Sequence, residues 1–303
     1  MPGPGLLPSL LAVLLLPAAA AQAGGVPPTS LDAGREGVQD QAGDHRFTAV
    51  PLATRTVLTK SQTQGGRVLR ASVLRGRWGV PVVANDGTSG GISADGRTLV
   101  LTRVAESYPR SRTAFAVVDT TRMAVRDTIH LEGEWRVDAL SPDGRQVHLI
   151  EELARFGASR PVLRTYDLAN HRLLADAEAM RGYPITRATG QGGRWHYTLY
   201  AGSKRPFIHA LDTVTRTSHR QDLPVAQQIN QRLWALRLDV RGNRVAVVDG
   251  NKIVASAARR PRRASAGGGP PWLAVAVALT GLVLAASATR RAQATSRRSR
   301  ELR

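Results

Sequence analysis

The sequence predicts an all-β fold, a β-propeller built from repeated four-stranded blades, and three observations predict it. Turn glycines recur at Gly96, Gly144, Gly193 and Gly242, with steps of 48, 49 and 49 residues. Asp119, Asp167 and Asp212, each ending one strand before a short turn into another, keep steps of 48 and 45. The strand after each glycine is largely apolar on both faces, as a sheet covered by a neighbour on each side requires. Units of about 40 to 50 residues with four strands each are blades, whereas a β-sandwich explains the strands but not the step.

The best copy of the marker is Ser141-Pro142-Asp143-Gly144-Arg145. Proline presets φ at the second position of a tight turn, aspartate suits the third and glycine closes it. Three and five residues past the glycine stand Leu99 and Leu101, Val147 and Leu149, His196 and Thr198, Val245 and Val247. At four and six stand Val100 and Thr102, His148 and Ile150, Tyr197 and Leu199, Ala246 and Val248. Asp95, Gly96, Asp143, Gly144, Gly193 and Gly242 are therefore structural turn residues rather than chemical ones. Arg67 to Leu74 and Arg77 to Val83 read as the last hairpin of a preceding blade, with Arg46 to Thr59 supplying its first strands. The span suggests five blades with the last one incomplete, an N-terminal strand being one way to complete it; a four-bladed ring is the alternative.

The flanks set the domain plan. Leu6 to Ala21 is an apolar run ending in Ala21-Gln22-Ala23, an A-x-A cleavage site, so residues 1–23 read as a signal peptide despite lacking Lys or Arg before the run. An uncut N-terminal anchor is the alternative, and either one exports the body of the chain. Residues 24–43 read as a disordered leader, 44–256 as the propeller and 257–271 as an Arg/Gly/Pro linker. Trp272 to Ala288 offers 17 residues without a charge, at the short end of the roughly 17 to 25 that cross a bilayer. Gly267-Gly268-Gly269-Pro270-Pro271 isolates this run from the fold. Six arginines follow it and four precede it, a weak positive-inside bias that agrees with an exported body. Residues 289–303 then form a basic cytoplasmic tail, suited to anionic lipid.

The formal charge of +19 looks like that of a nucleic-acid binder. Ten arginines and Glu301 place +9 of it after residue 258, and the rest is spread, so no nucleic acid is expected. Absence of cysteine excludes disulfides, thiolate nucleophiles and Cys-based zinc sites.

Ser141 to Arg145 with Val147 to Glu151, and Ser93 to Arg97 with Leu99 to Arg103, resemble the repeat of TolB-type propellers, in which such a turn precedes an apolar strand in each blade. The likeness spans residues 44–256 and is degenerate at Gly190 to Arg194 and Asp239 to Asn243. A separate N-terminal α/β domain and six full blades are missing, so the resemblance implies an extracytoplasmic propeller used as a binding platform and none of TolB's own partners.

Chemistry is sought at the channel, where Glu134, Arg136, Asp138, Arg187 and Arg237 are the candidates. No carboxylate recurs at one offset, as a metal-dependent lactonase or a carboxylate-pair hydrolase would need. The seven histidines show no metal-ligand spacing; His148 and His196 sit at different offsets and read as core or edge residues facing different sides. Trp78, Trp135, Trp195 and Trp234 read as blade packing rather than base-stacking platforms. The expectation is a non-enzymatic, cofactor-free, membrane-anchored propeller that binds envelope proteins. Arg-mediated binding of an anionic envelope polymer or lipid headgroup is the alternative, and a propeller hydrolase the remote one.

Overall fold

The computed structural model describes residues 36–155, 158–202, 205–224, 232–241 and 244–258. Its strands form five antiparallel meanders in chain order. The first sheet is β1 (Val38–Gln39), β2 (His45–Pro51), β3 (Arg55–Gln62) and β4 (Val68–Arg75). The second is β5 (Trp78–Gly79), β6 (Thr98–Arg103), β7 (Arg112–Asp119) and β8 (Ala124–Glu132). The third is β9 (Glu134–Leu140), β10 (Gln146–Arg155), β11 (Ala158–Asp167) and β12 (Arg172–Ala179). The fourth is β13 (Tyr183–Thr189), β14 (Trp195–Ala201), β15 (Phe207–Asp212) and β16 (Thr217–Asp222). The fifth has three described strands, β17 (Leu236–Arg241), β18 (Arg244–Asp249) and β19 (Lys252–Ala258). A series of consecutive four-stranded meanders is β-propeller architecture.

The glycine turns behave alike. Gly144 N–H donates to Ser141 O at 2.9 Å, Gly96 to Ser93 O at 3.0 Å and Gly193 to Gly190 O at 3.0 Å. Ser141 Oγ accepts from Gln146 N–H at 2.9 Å and donates to Asp143 at 2.7 Å, so the serine and aspartate pin each other. Asp40-Gln41-Ala42-Gly43 is a further copy, with Gly43 N–H donating to Asp40 O at 3.0 Å and Asp40 Oδ1 accepting from His45 N–H at 3.2 Å. The outer hairpins repeat as well. Asp119, Asp167 and Asp212 each accept two backbone N–H groups two and three residues on. The residue four beyond each, Met123, His171 or Arg216, has φ between 49° and 58°.

Four apolar clusters lie between consecutive sheets. Leu99 and Leu101 pack toward the first sheet, and Val147 and Leu149 join Val100, Phe115 and Val117 of the second. Ile150 meets Tyr200 and Phe207 between the third and fourth, and Tyr197 and Leu199 meet Val245 and Val247 between the fourth and fifth. Residues at three and five past the glycine therefore face the preceding sheet, and those at four and six the following one. At the crossing between sheets, Trp78 N–H donates to Thr56 Oγ1 at 2.7 Å and Trp135 N–H to Thr113 Oγ1 at 3.0 Å. Both indoles donate back to the outer strand just left, Trp78 to Arg75 O at 2.6 Å and Trp135 to Glu132 O at 2.7 Å.

Several sequence expectations change. Val38–Gln39 and the turn after it lie within the stretch read as a leader, yet β1 pairs with β2 and completes the first sheet, not the last. Val68–Arg75 is the outer strand of the first blade, while Trp78–Gly79 opens the second, so the two do not form one hairpin. Residues 80–92 then follow an irregular path pinned by the bridges Val82↔Ser89 and Ile92↔Leu99. Strand β19 runs to Ala258, two residues into the stretch read as linker. Trp78, Trp135 and Trp195 are buried, but Trp234 is half exposed and packs no blade interior. The expected signal peptide, the apolar run Trp272 to Ala288, the basic tail and Gly242 lie outside the described residues. Among the described residues no helix is long and apolar enough to cross a membrane.

Candidate functional site

The five channel candidates do not converge. Glu134, at the start of β9, accepts from Arg110 through its backbone N–H at 2.8 Å and its Nε at 2.9 Å. Arg136, two residues further in, donates to Glu152 of the adjacent β10 through Nε at 3.0 Å. Arg237 on β17 donates to Trp234 O and Leu236 O at 3.0 and 2.8 Å, with Nε 3.7 Å from Asp86 and half the side chain in solvent. Asp138 and Arg187 alone among the five meet.

They meet because they occupy one position in neighbouring repeats, three residues before Ser141 and Gly190 respectively. Arg187 Nη1 lies 3.0 Å from Asp138 Oδ1 and Nη2 3.2 Å from Oδ2, and Nη1 also donates to the Asp138 carbonyl. The side chains are 4 % and 3 % exposed. At the same position the other repeats carry Gly37, Gly90 and Leu236. A cavity of about 230 Å³ opens beside the pair, with Gly90, Gly91, Thr189 and His196 in its wall. Gly90 is needed there, since a Cβ on it would lie 2.6 Å from Val83 Cγ1. Arg187 Nε is buried with no hydrogen-bond partner.

The glycine turns close one end of this cavity. Gln41 Nε2 donates to Gly190 O at 2.9 Å, joining the first blade to the fourth, and Asp95 N–H donates to Pro142 O at 3.1 Å. A Cβ on Gly193 would lie 2.4 Å from Ala94 Cβ, and one on Gly144 2.4 Å from Thr98 Oγ1. The marker glycines thus serve both their own turns and the contacts between turns.

Two histidines flank the ion pair. His148 faces the fourth sheet from the third, where its ring lies 3.2 Å from Thr213 O and 3.1 Å from Thr165 Oγ1. His196 faces the third sheet from the fourth. Different offsets do put them on different sides of their own sheets, but in consecutive sheets those sides are turned toward each other. Burial is the main cause that holds His148 down to about 4 and His196 to about 3, and Arg187 pushes both the same way. Burial works against ionisation of Asp138, and Arg187 overrides it, holding the carboxyl below its ordinary range. Burial raises the Tyr200 phenol. Behind them the buried His209 places Nε2 3.6 Å from Glu178, beyond hydrogen-bond reach.

At neutral pH this layer holds neutral imidazoles and an ionised carboxylate already bound to a guanidinium. Neither His148 nor His196 nor Asp138 is therefore poised to exchange a proton near pH 7. Among the described residues no cluster of three or more His, Asp or Glu could hold a metal ion. The sequence pattern does not reveal His148 and His196 as neighbours of Asp138, although a signal exists: in the fourth repeat, unlike the second, third and fifth, the residues three and five past the glycine, His196 and Thr198, are polar.

No protein-family model matches the chain, and no curated protein matches it. Two similar solved structures are hydrazine synthase of Kuenenia stuttgartiensis and the β-propeller domain of Cps50 (Swd1) of Myceliophteria thermophila. The first is 12 % identical with a TM-score of 0.37, over 74 % of this chain and 77 % of that one. The second is 14 % identical with a TM-score of 0.39, over 69 % of this chain and 60 % of that one. At such scores neither likeness carries an argument, and the β-propeller assignment rests on the strand topology.

Proposed function

We propose that this chain is a membrane-anchored, extracytoplasmic propeller that acts as a non-catalytic protein-binding platform in the cell envelope. The observation that carries the reading is the fate of the acids: Glu134, Asp138 and Glu152 are each held by their own arginine inside the blades. Acid–base work needs a carboxyl free to change its proton, which these three paired acids do not offer. The surface offers contact instead, with Val50, Val68, Leu69 and Val73 of the first sheet and Leu52 in its β2–β3 turn all 41–60 % exposed. The apolar segments at both ends of the sequence support export and anchoring. The test is native co-purification of the detergent-solubilised full chain with quantitative identification of what travels with it. A stoichiometric envelope protein is expected, and repeated recovery of the chain alone would overturn the reading.

One observation favours a second reading, binding of an anionic envelope polymer or lipid headgroup. Arg55, Arg67, Arg70 and Arg75 of the first sheet are exposed and, among the described residues, face no carboxylate. Such binding falls steeply with added salt; retention unaffected by salt would sink it.

A further inference from the structure

We propose that the end of the blades opposite the glycine turns rests on an anionic lipid bilayer. This goes beyond the platform reading and rests on its placing of the chain at a membrane.

The meander topology decides which residues share an end. A meander puts the turns after its first and third strands at one end, here the end where Gln41 meets Gly190 and Asp95 meets Pro142. The turns after the second strands, and the crossings to the next sheet, lie at the other end. Every sheet leaves an apolar side chain in solvent there. Leu52 of the first, Tyr108 of the second, Leu153 of the third, Tyr183 of the fourth and Trp234 leading into the fifth are 52, 44, 42, 69 and 47 % exposed. Single apolar residues in solvent are ordinary on a protein surface. Their distribution is not: among the described residues, the aromatic side chains more than a third exposed are Tyr108, Tyr183 and Trp234, all at this end.

Charge separates the two ends as well. Arg55, Arg75, Arg181, Arg205 and Lys252 are exposed at the aromatic end and, among the described residues, face no carboxylate. The exposed acids there, Glu106, Glu132 and Asp222, are each held by an arginine, which leaves the cations in excess. At the glycine-turn end Asp44, Asp95 and Asp143 are exposed, and the exposed apolar residues, such as Val125 and Val214, are aliphatic. Tyrosine and tryptophan settle at headgroup depth, where the ring meets acyl chain and the polar tip meets water. Arginine and lysine without partners are drawn to anionic headgroups. A protein partner matches less well, because these apolar groups come one from each blade rather than as the continuous apolar core that a stable interface buries. Strand β19 ends at the glycine-turn end, yet residues 259–271 reach about 43 Å when extended, past the roughly 33 Å of a ten-residue strand. The expected anchor can therefore lie beneath the aromatic end.

The test uses the full chain with Trp272→Phe, which removes the tryptophan of the C-terminal apolar run. It is reconstituted into vesicles of phosphatidylcholine and phosphatidylglycerol brominated near the headgroup, since bromine quenches tryptophan emission at short range. Quenching is expected, and adding Trp234→Phe should remove most of it, because Trp78, Trp135 and Trp195 are buried. Moving the probe to the glycine-turn end, by Val214→Trp in that double variant, should leave the emission unquenched. Arg181→Glu with Arg205→Glu should weaken the quenching of Trp234, as should vesicles without phosphatidylglycerol; both arginines are exposed, so the melting temperature should hold. No quenching of Trp234, equal quenching after Val214→Trp, or quenching indifferent to both charge changes overturns the inference. A Trp234 that ignores bromolipid and changes emission only when a co-purified protein is added gives this end to a protein instead. The two proposals fail separately. An envelope protein that co-purifies with a chain whose Trp234 is unquenched sinks the lipid contact and spares the platform, and quenching with no co-purifying protein does the reverse.

Discussion

Removing one member of the Asp138–Arg187 pair is the sharpest perturbation available. At the 3.0 Å contact of Arg187 Nη1 with Asp138 Oδ1, two unit charges attract by about 5 kcal/mol at an effective dielectric of about 20. Desolvation offsets most of that attraction, so the intact pair adds little net stability. A lone buried ion keeps the desolvation and loses the attraction, which costs about 3 to 5 kcal/mol. Asp138→Leu and Arg187→Met should each fall near the lower figure, because Arg187 keeps its bond to the Asp138 carbonyl in the first and Asp138 can draw water from the adjacent cavity in the second. A loss of about 3 kcal/mol lowers the melting temperature by roughly 6 to 12 °C in a domain of this size. The double variant places two apolar side chains face to face and should lie within about 1 kcal/mol of the parent, giving a coupling of several kcal/mol. Urea unfolding followed by tryptophan fluorescence measures all four corners of the cycle. Additive losses, or either single variant within about 0.5 kcal/mol of the parent, would show that the pair is not a buried, mutually dependent unit.

Acid should weaken the fold early. The unfolded chain takes up protons on His148 and His196 below about pH 6.5, while the native chain holds off until about 4 and about 3. Stability is therefore full above that range and falls as pH drops through it, by up to about 1.4 kcal/mol per pH unit for each histidine. Urea midpoints between pH 7.5 and 4.5 should show this slope, flattened by His148→Gln with His196→Gln; an unchanged slope in that variant refutes the assignment. Asp143→Ala removes an acceptor used by Ser141 Oγ and Arg145 N–H, and should cost about 1 kcal/mol by thermal melting while the set of co-purifying proteins stays as it was. At His171, exposed with φ 49°, a β-branched residue is strained and glycine is not. His171→Val should lose about 1 to 2 kcal/mol, and a melting temperature no lower than that of His171→Gly would contradict it.

The repeat was legible because local chemistry writes it. Gly96, Gly144 and Gly193 are needed wherever the chain turns with positive φ, and the paired apolar positions after them follow from burial on both faces. The first repeat escaped because Asp40 does the work of Ser141 there with a different side chain, in a turn 53 residues before Gly96 rather than 48 or 49. The inner segment of the second blade escaped because residues 80–92 hold their place through isolated bridges and long-range bonds such as Asn85 N–H to Pro184 O. Of the channel candidates, Asp138 and Arg187 were named but not joined. Joining them requires knowing that equal positions in successive repeats stand side by side. Glu134 and Arg136 were read as facing the channel because Arg110 and Glu152, which claim them, come from the loop before β7 and from β10 and leave no spacing rule to find.

The bond from Gln41 to Gly190 spans 149 residues, and it bears on how the molecule comes apart. In a linear stack each unit leans on its neighbours alone, so the ends can peel away one at a time. Here the first turn is bonded to the fourth and the second to the third, and Ala94 of the second lies close against Gly193 of the fourth. Forming that latch demands closure of a long loop, whose entropic cost is met before the contact returns anything. Assembly should therefore be slow to complete, and loss should be collective: a chain cut within the fourth repeat would forfeit the anchorage of its first blade as well.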